Sequence, residues 1–310
     1  MLIALAAIRL NDLFAVVMLF GVYSLMTAAL FMDLDAVDVA FTEAAVGAGV
    51  TTVLMLSSLR LTSRWEQRPK HSPLVPLIVV GITGAALIYG TLDAPLLGDP
   101  NGPVHQHVAP RYIEQGAIEV GMPNMVTAVL ASYRGYDTFG ETVVIFTAGL
   151  AVLLLLGIQE NPEIKPGRTA IGDQLVLRVV VKMLIPLILL YALYVQFHGD
   201  YGAGGGFQAG VIFATGFVLY DLVFGEGDAR LVVPPRWLHR LAALGVLIYG
   251  GVGVVSLLSG KAFLDYSVLS HDPVHGQHLG VLLVELGVGI TVFSVILAIF
   301  YALSGRRRVA

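Results

Sequence analysis

Residues 277–303 read QHLGVLLVELGVGITVFSVILAIFYAL, a run whose one Asp, Glu, Lys or Arg is Glu285. A helix rising about 1.5 Å per residue needs roughly 20 apolar residues to cross the hydrocarbon of a bilayer. The run is long enough to do so. Read instead as the buried helix of a soluble domain, it would need amphipathic helices to cover it, and the rest of the chain supplies few. Of the 310 residues, 56% are hydrophobic and 13% charged, where a soluble domain carries about 25% charged residues. This deficit also excludes a disordered chain. The net charge of −4 argues against a nucleic-acid partner, which selects basic surfaces. The chain has no cysteine, so thiolate metal sites, iron–sulfur ligation, disulfides and cysteine nucleophiles are ruled out in it.

Working outward, uncharged runs of near-spanning length occur at Leu13–Met32, Ser72–Leu92, Thr142–Gln159, Tyr201–Tyr220 and Leu241–Gly260. Two more segments span if interior charges are allowed: Val37–Leu59 with Glu43, and Gln174–Phe197 with Arg178 and Lys182. With the last run, the expected fold is an all-α integral membrane protein of about eight transmembrane helices. Residues 1–10 are too short for a cleavable signal, so the first span is read as retained. Thirteen basic residues fall on one side: Arg9, Arg60, Arg64, Arg68, Lys70, Lys165, Arg168, Arg230, Arg236, Arg240 and Arg306–Arg308. Arg111, Arg134 and Lys261 fall on the other. The positive-inside rule then makes both termini cytoplasmic, in a multi-pass protein of the cell membrane. Polar linkers at Arg60–Ser72 and Glu160–Asp173 cut the chain into blocks of two, two and four spans, at 1–65, 72–160 and 170–305. In the long outward loop between Leu92 and Gly140, the apolar stretch Asn124–Tyr133 reads as a short helix on the membrane surface or tucked against the spans.

Ionisable side chains inside a membrane cost energy and usually face a protein interior or an ion route. Glu43 is followed by Ala44, Ala45, Gly47, Ala48 and Gly49, small residues that let a neighbouring helix approach, and Asp38 lies near the outer end of the same helix. Glu43 is either a proton relay or a carboxylate that only hydrogen-bonds a partner helix. Lys182 stands four residues before Pro186, whose missing N–H frees a carbonyl; it marks a kinked ion path or snorkels to the surface. Glu285 needs a partner from another helix, a wet cavity or a proton. Glu141 has Arg134 and Asp137 nearby and is a path residue or part of a solvated cluster. Gly202, Gly206 and Gly210 recur every four residues, a stripe for tight helix packing. His271, His275 and His278 have helical spacing, but Pro273 and the lack of an acidic or cysteine ligand set favour a loop-and-cap role, or a protonatable entry point, over a metal. The Gly-rich stretch fits no phosphate-binding fingerprint and no catalytic or cofactor motif is present, so neither an independent enzyme nor a cofactor is expected.

Three stretches carry a resemblance. DAVDVAFTEAAVGAGVTTVL (35–54) resembles the signature of the MbhD-type segment toward the end of the large MrpA subunit of Mrp cation/proton antiporters, a segment also found in membrane-bound hydrogenases. NMVTAVLASYRGYDTFGE (124–141) resembles the adjoining MbhE-type segment. FHGDYGAGGGFQAGVIFA (197–214) resembles the MnhB/MrpB signature, and HLGVLLVELGVGITVFSVI (278–296) that family's closing helix. The order matches the three blocks, so the chain looks like a fusion of the MrpA C-terminal segments with MrpB, within the complex I superfamily. The resemblance implies a subunit of a hetero-oligomer that exchanges Na⁺ (or Li⁺ or K⁺) for H⁺. Its partners would be large antiporter-like subunits and a small MrpC-like one. By position, Glu43 matches the motif glutamate and Glu141 the closing glutamate of the second motif. The family's proline is Val37 here, and the loop proline is Ala203. The MbhD-type segment usually has one more helix ahead of these two, and residues 1–10 are too short to supply it. The expected function is thus an antiporter subunit with an intramembrane relay centred on Glu43, with Glu141, Lys182, Glu285 and Asp38 as further path residues. Two alternatives stay open: the membrane module of a redox-driven ion pump, and a non-conducting scaffold.

Overall fold

The computed structural model describes residues 2–67, 72–96, 98–157 and 173–305. The regular structure among them is helical, apart from one isolated bridge between Asp12 and Trp65. Eight helices are long and apolar enough to cross a membrane: Leu13–Asp33, Val37–Leu59, Leu74–Thr91, Gly135–Leu156, Leu175–His198, Gly206–Phe224, Pro235–Leu258 and Pro273–Ser304. They are called the first to eighth spans below. Arg68, Lys70, Lys165, Arg168, Arg306–Arg308 and nearly all of the second linker lie outside the described residues.

The spans match the apolar runs, and their ends differ for physical reasons. The fourth span starts at Gly135, one turn and more before Thr142, because the polar stretch GYDTFGE still forms helix. The seventh starts at Pro235, a proline at the first helical position where its missing N–H costs nothing. The sixth starts at Gly206 instead of Tyr201, because Gly205 has a φ of 120° that only glycine adopts readily. Gly202 therefore lies in the loop and not on the helix, which corrects its place in the packing stripe. Pro186 sits within the fifth span, which continues through it to His198.

The first two spans form a hairpin. Asp12 caps the first span through Phe14 N–H (3.1 Å) and pairs with Arg64 beyond the second (2.6 Å), closing one end. The second span is α-helical over Val37–Glu43, π-helical over Ala44–Val50, and α-helical again over Thr51–Leu59. The wide turn falls on AAVGAGV, where small side chains permit it. The eighth span is the axis of the rest, with more than half of its apolar window buried. Glycines set its contacts: a Cβ on Gly287 would lie 2.7 Å from Gly245 O, and one on Gly210 would lie 2.6 Å from Gly289 O. Without a hydrophobic drive between helices in lipid, such close approaches supply the packing energy. The third span differs, with no buried residue.

Asn124–Tyr133 is tucked against the bundle. Its short helix Met125–Thr127 leads into a π-helical turn, Ala128–Tyr133, with Thr127, Ala128 and Ala131 buried. Two buried tyrosines hold it in place: Tyr266 donates to Ala131 O (2.8 Å) and Tyr249 to Gly135 O (2.7 Å). The histidine-rich turn is a loop and cap, as the sequence favours. Asp272 caps the eighth span through Val274 N–H (3.0 Å), and His278 Nε2 lies 3.1 Å from Gly121 O. His271 precedes that helix, so the three histidines do not share one helical face.

Candidate functional site

The site starts from Asp38, in the first turn of the second span just after the tight turn at Asp35 (φ 58°). Its Oδ1 accepts from Gly204 N–H at 3.3 Å and from Asn124 Nδ2 at 3.4 Å. Asn124 caps the tucked helix through Val126 N–H (2.9 Å). Its amide also donates to Gly199 O (3.0 Å) and Gly202 O (2.9 Å), and Thr127 adds a 2.6 Å bond to Gly199 O. Carbonyls of the Gly-rich loop, freed from helix geometry, thus find partners on the tucked segment, as buried carbonyls must. Four residues after Asp38, Thr42 accepts from Gln208 Nε2 at 2.8 Å. These bonds join residues from all three sequence blocks.

Glu285 faces the same loop. A Cβ on Gly205 would lie 3.2 Å from its Oε1, and one on Gly199 would lie 3.2 Å from its Oε2. Only bare backbone fits beside this carboxylate. Asp38, Glu141 and Glu285 all line one cavity of about 310 Å³, together with Thr42, Thr142 and Gln208. Glu141 projects from the fourth span, whose Asp137 is taken by Arg134 at 2.5 Å. Among the described residues Glu141 has no ion-pair partner. The three carboxylates therefore face one cavity whose lining is otherwise mainly apolar, with Thr42, Thr142 and Gln208 among its neutral polar side chains.

Other sequence candidates lie elsewhere. Glu43 does not line this cavity; it sits inside the first hairpin, where Ser24 Oγ donates to its Oε1. A Cβ on Gly47 would lie 2.7 Å from that oxygen, so the motif glycine gives the carboxylate its room. Lys182 is exposed on the fifth span, with its ammonium 5.8 Å from the centre of the Phe224 ring. Gly206 and Gly210 pack against the eighth span, and a Cβ on Gly206 would overlap Glu285 O. Sequence reading did not single out Ser24, Thr42, Asn124 or Gln208. The only signal was that three of them fall inside the quoted motifs.

Outside the spans, Tyr133 donates to Glu119 (2.5 Å) and Arg111 pairs with it (3.2 Å). These partners hold the Glu119 carboxyl below the usual range, while burial, ahead of Glu119, pushes the Tyr133 hydroxyl up to about 12.

Comparison with known proteins places these features in a family. Residues 176–298 match the domain related to the MnhB subunit of Na⁺/H⁺ antiporters. Residues 1–64 match the MbhD family and residues 70–164 the MbhE family, the D and E subunits of MBH. A probable K⁺/H⁺ antiporter A/B subunit of Rhizobium meliloti (strain 1021) is 27% identical over 94% of this chain. The match covers 32% of that protein, so the chain spans about a third of its length. The putative antiporter subunit mnhB2 of Staphylococcus haemolyticus (strain JCSC1435) is 35% identical over 43% of this chain and 96% of its own. Among solved structures, the Mrp complex from Dietzia sp. DQ12-45-1b matches with a TM-score of 0.73 and 26% identity. That match covers 98% of this chain and 34% of the other. A chain of the membrane-bound sulfane sulfur reductase, an archaeal respiratory membrane complex, matches with a TM-score of 0.55 and 27% identity. It covers 74% of this chain and 96% of that one.

Proposed function

The chain belongs to the MnhB family of antiporter subunits, and from that premise we propose that it serves a multisubunit antiporter exchanging a monovalent cation, Na⁺ or K⁺, for protons. One observation carries the reading: Asp38, Glu141 and Glu285, one from each sequence block, line the same cavity. In this reading the cavity is a wet chamber in which a proton and a cation compete for carboxylate oxygens. Glu43 is a separate relay within the first hairpin, and Lys182 lies at the edge of the path. The blocks 1–65, 72–160 and 170–305 act as MbhD-like, MbhE-like and MnhB-like units, with both termini cytoplasmic. The third span, with no buried residue, suits a surface that meets the large antiporter-like subunits.

The test is cation-driven proton movement in proteoliposomes holding the purified complex. Glu285→Gln keeps shape and removes charge. Exchange at wild-type rate with the complex intact would count against the chamber. The likeness to a respiratory-complex chain favours one second reading, in which the same module is driven by electron transfer in other subunits. Affinity isolation from native membranes separates the two readings. Antiporter-like subunits alone fit the exchanger, and redox subunits that co-purify fit the pump. A scaffold with no ion path predicts that neutralising Glu43, Glu141 and Glu285 together alters assembly or nothing.

A further inference from the structure

A second set of polar groups lies at the other end of the sixth and eighth spans. Asp221 is three residues from the end of the sixth span and is buried, at 5% exposure. Its Oδ2 has no hydrogen-bond partner among the described residues, and the same holds for the buried hydroxyls of Tyr301 and Ser304 on the eighth span. An orphaned carboxylate oxygen in hydrocarbon is costly, and native structures keep few without a use. Charged groups approach it from each neighbouring element. Glu226 and Arg230, on the short helix Glu226–Val232, pair with each other at 2.5 Å. Arg230 also donates to Tyr301 O (3.2 Å), with its guanidinium 5.5 Å from the Tyr301 ring centre. Arg60, at the end of the second span, is close enough to act on Asp221. On the fifth span, Lys182 reaches the ring of Phe224, three residues from Asp221. His239 shares a cleft with Arg230 and Tyr301. Burial raises the Glu226 carboxyl above its ordinary range, and Arg230 draws it back.

Position and chemistry together specify the ligand. From Gly206 to Asp221 is about 22 Å of helix, and from Glu285 to Tyr301 about 24 Å, at 1.5 Å per residue. These lengths approach the roughly 30 Å thickness of the hydrocarbon. Asp221 therefore stands near the membrane face opposite the Asp38–Glu141–Glu285 chamber. A metal cation there would meet two carboxylates, one of them already paired with Arg230, and two guanidinium groups, a poor oxygen cage. A proton needs only the carboxylate and a hydroxyl to pass it on.

We infer that Asp221 is a proton-binding site, the exchange point between this chain and water on the face carrying Arg60 and Arg230. Its carboxylate takes a proton from water to become the neutral acid and returns it with no other bond made or broken. Tyr301, close enough to interact with Asp221, supplies a neighbouring hydroxyl. The assignment deepens the antiporter reading and rests on it for direction of transport, but proton binding itself can be measured apart from transport.

The experiment is pH-difference infrared spectroscopy on the detergent-purified complex with the full chain, as wild type, Asp221→Asn and Asp221→Glu. A carboxyl C=O band that titrates in wild type, is lost in D221N and shifts in D221E is the expected result. Identical spectra in wild type and D221N overturn the assignment. Where D221N does not assemble, an unshifted band in D221E overturns it equally. Reconstituted in liposomes, assembled D221N should slow exchange about tenfold or more, or roughly 1.4 kcal/mol, with D221E recovering rate on a displaced pH profile. A D221N complex that exchanges at wild-type rate contradicts the role. If the wild-type complex exchanges no cation for protons, the antiporter reading fails, and the infrared result alone decides Asp221.

Discussion

Glu43 and Glu285 are each a carboxylate well inside a long apolar span, yet their surroundings differ. Glu43 is satisfied within its own hairpin by Ser24, nineteen residues away, and has Gly47 for room. Glu285 lies against bare loop backbone and opens on a cavity whose other carboxylates come from residues 38 and 141. The first site survives as long as two helices stay paired. The second exists only when all three sequence blocks are docked. A half-buried carboxylate with a local partner is an inexpensive way to hold a hairpin, whereas one facing a shared cavity is exposed to changes in every block. Under the proposed antiporter reading, exchange depends on Glu285 and its neighbours first and on Glu43 second.

The largest effect that would sharpen this difference is on Glu285. Glu285→Gln should lower cation-driven proton movement about tenfold or more, a loss of roughly 1.4 kcal/mol in barrier terms, with subunit composition unchanged on size exclusion. Next comes Asn124→Ala, which removes donors to Gly199 O, Gly202 O and Asp38 at one stroke. Leaving buried acceptors unpaired costs about 1–3 kcal/mol. This variant should lower the thermal midpoint of the isolated complex, while Glu285→Gln should not. Glu43→Gln should reduce exchange only about threefold, roughly 0.6 kcal/mol, with Ser24→Ala moving in the same direction. An unchanged rate in an assembled Glu43→Gln complex would remove the relay role from the hairpin, and a loss matching that of Glu285→Gln would reverse the comparison.

The smallest effect lies outside both sites. Tyr133, and then Arg111, lower the Glu119 carboxyl below its unfolded value. A depressed carboxylate contributes stability above its unfolded pKa and loses it as pH falls through the folded value. Hydrogen exchange over residues 108–133, corrected for intrinsic rates, should show protection that declines on acidification below the ordinary glutamate value of about 4.3. Glu119→Gln should flatten that decline and leave exchange activity at neutral pH unchanged.

What was legible in the sequence follows from how far each signal reaches. The eight spans could be read because apolar length is a local property, and Val37–Leu59 matches its helix to the residue. Span ends were less legible at Gly135 and Pro235, where polar residues continue a helix that an apolar window cuts short. Gly202 was misplaced because a four-residue interval looks helical whether or not the backbone is, and it was the φ of Gly205 that ended the pattern. Glu285, Asp38 and Glu141 stood out as charges in apolar surroundings. Their meeting in one cavity did not, since nothing in a span records which distant residues it faces. Thr42, Asn124 and Gln208 were silent because neutral polar residues are common in helices and carry no charge to mark them. Asp221 went unnoticed because it is the first residue after the uncharged run ending at Tyr220, where a carboxylate reads as the end of a span.

The measurement that bears most directly on the shared chamber is a double-mutant cycle between Asp38→Asn and Glu285→Gln, read as initial cation-driven proton flux in proteoliposomes of the assembled complex. Groups acting on one cavity lose their effects together, so the double variant should be little slower than the slower single variant, with an interaction above about 0.5 kcal/mol. Losses that add within that margin would mean that the two carboxylates act independently, and the chamber would not be the unit that carries exchange.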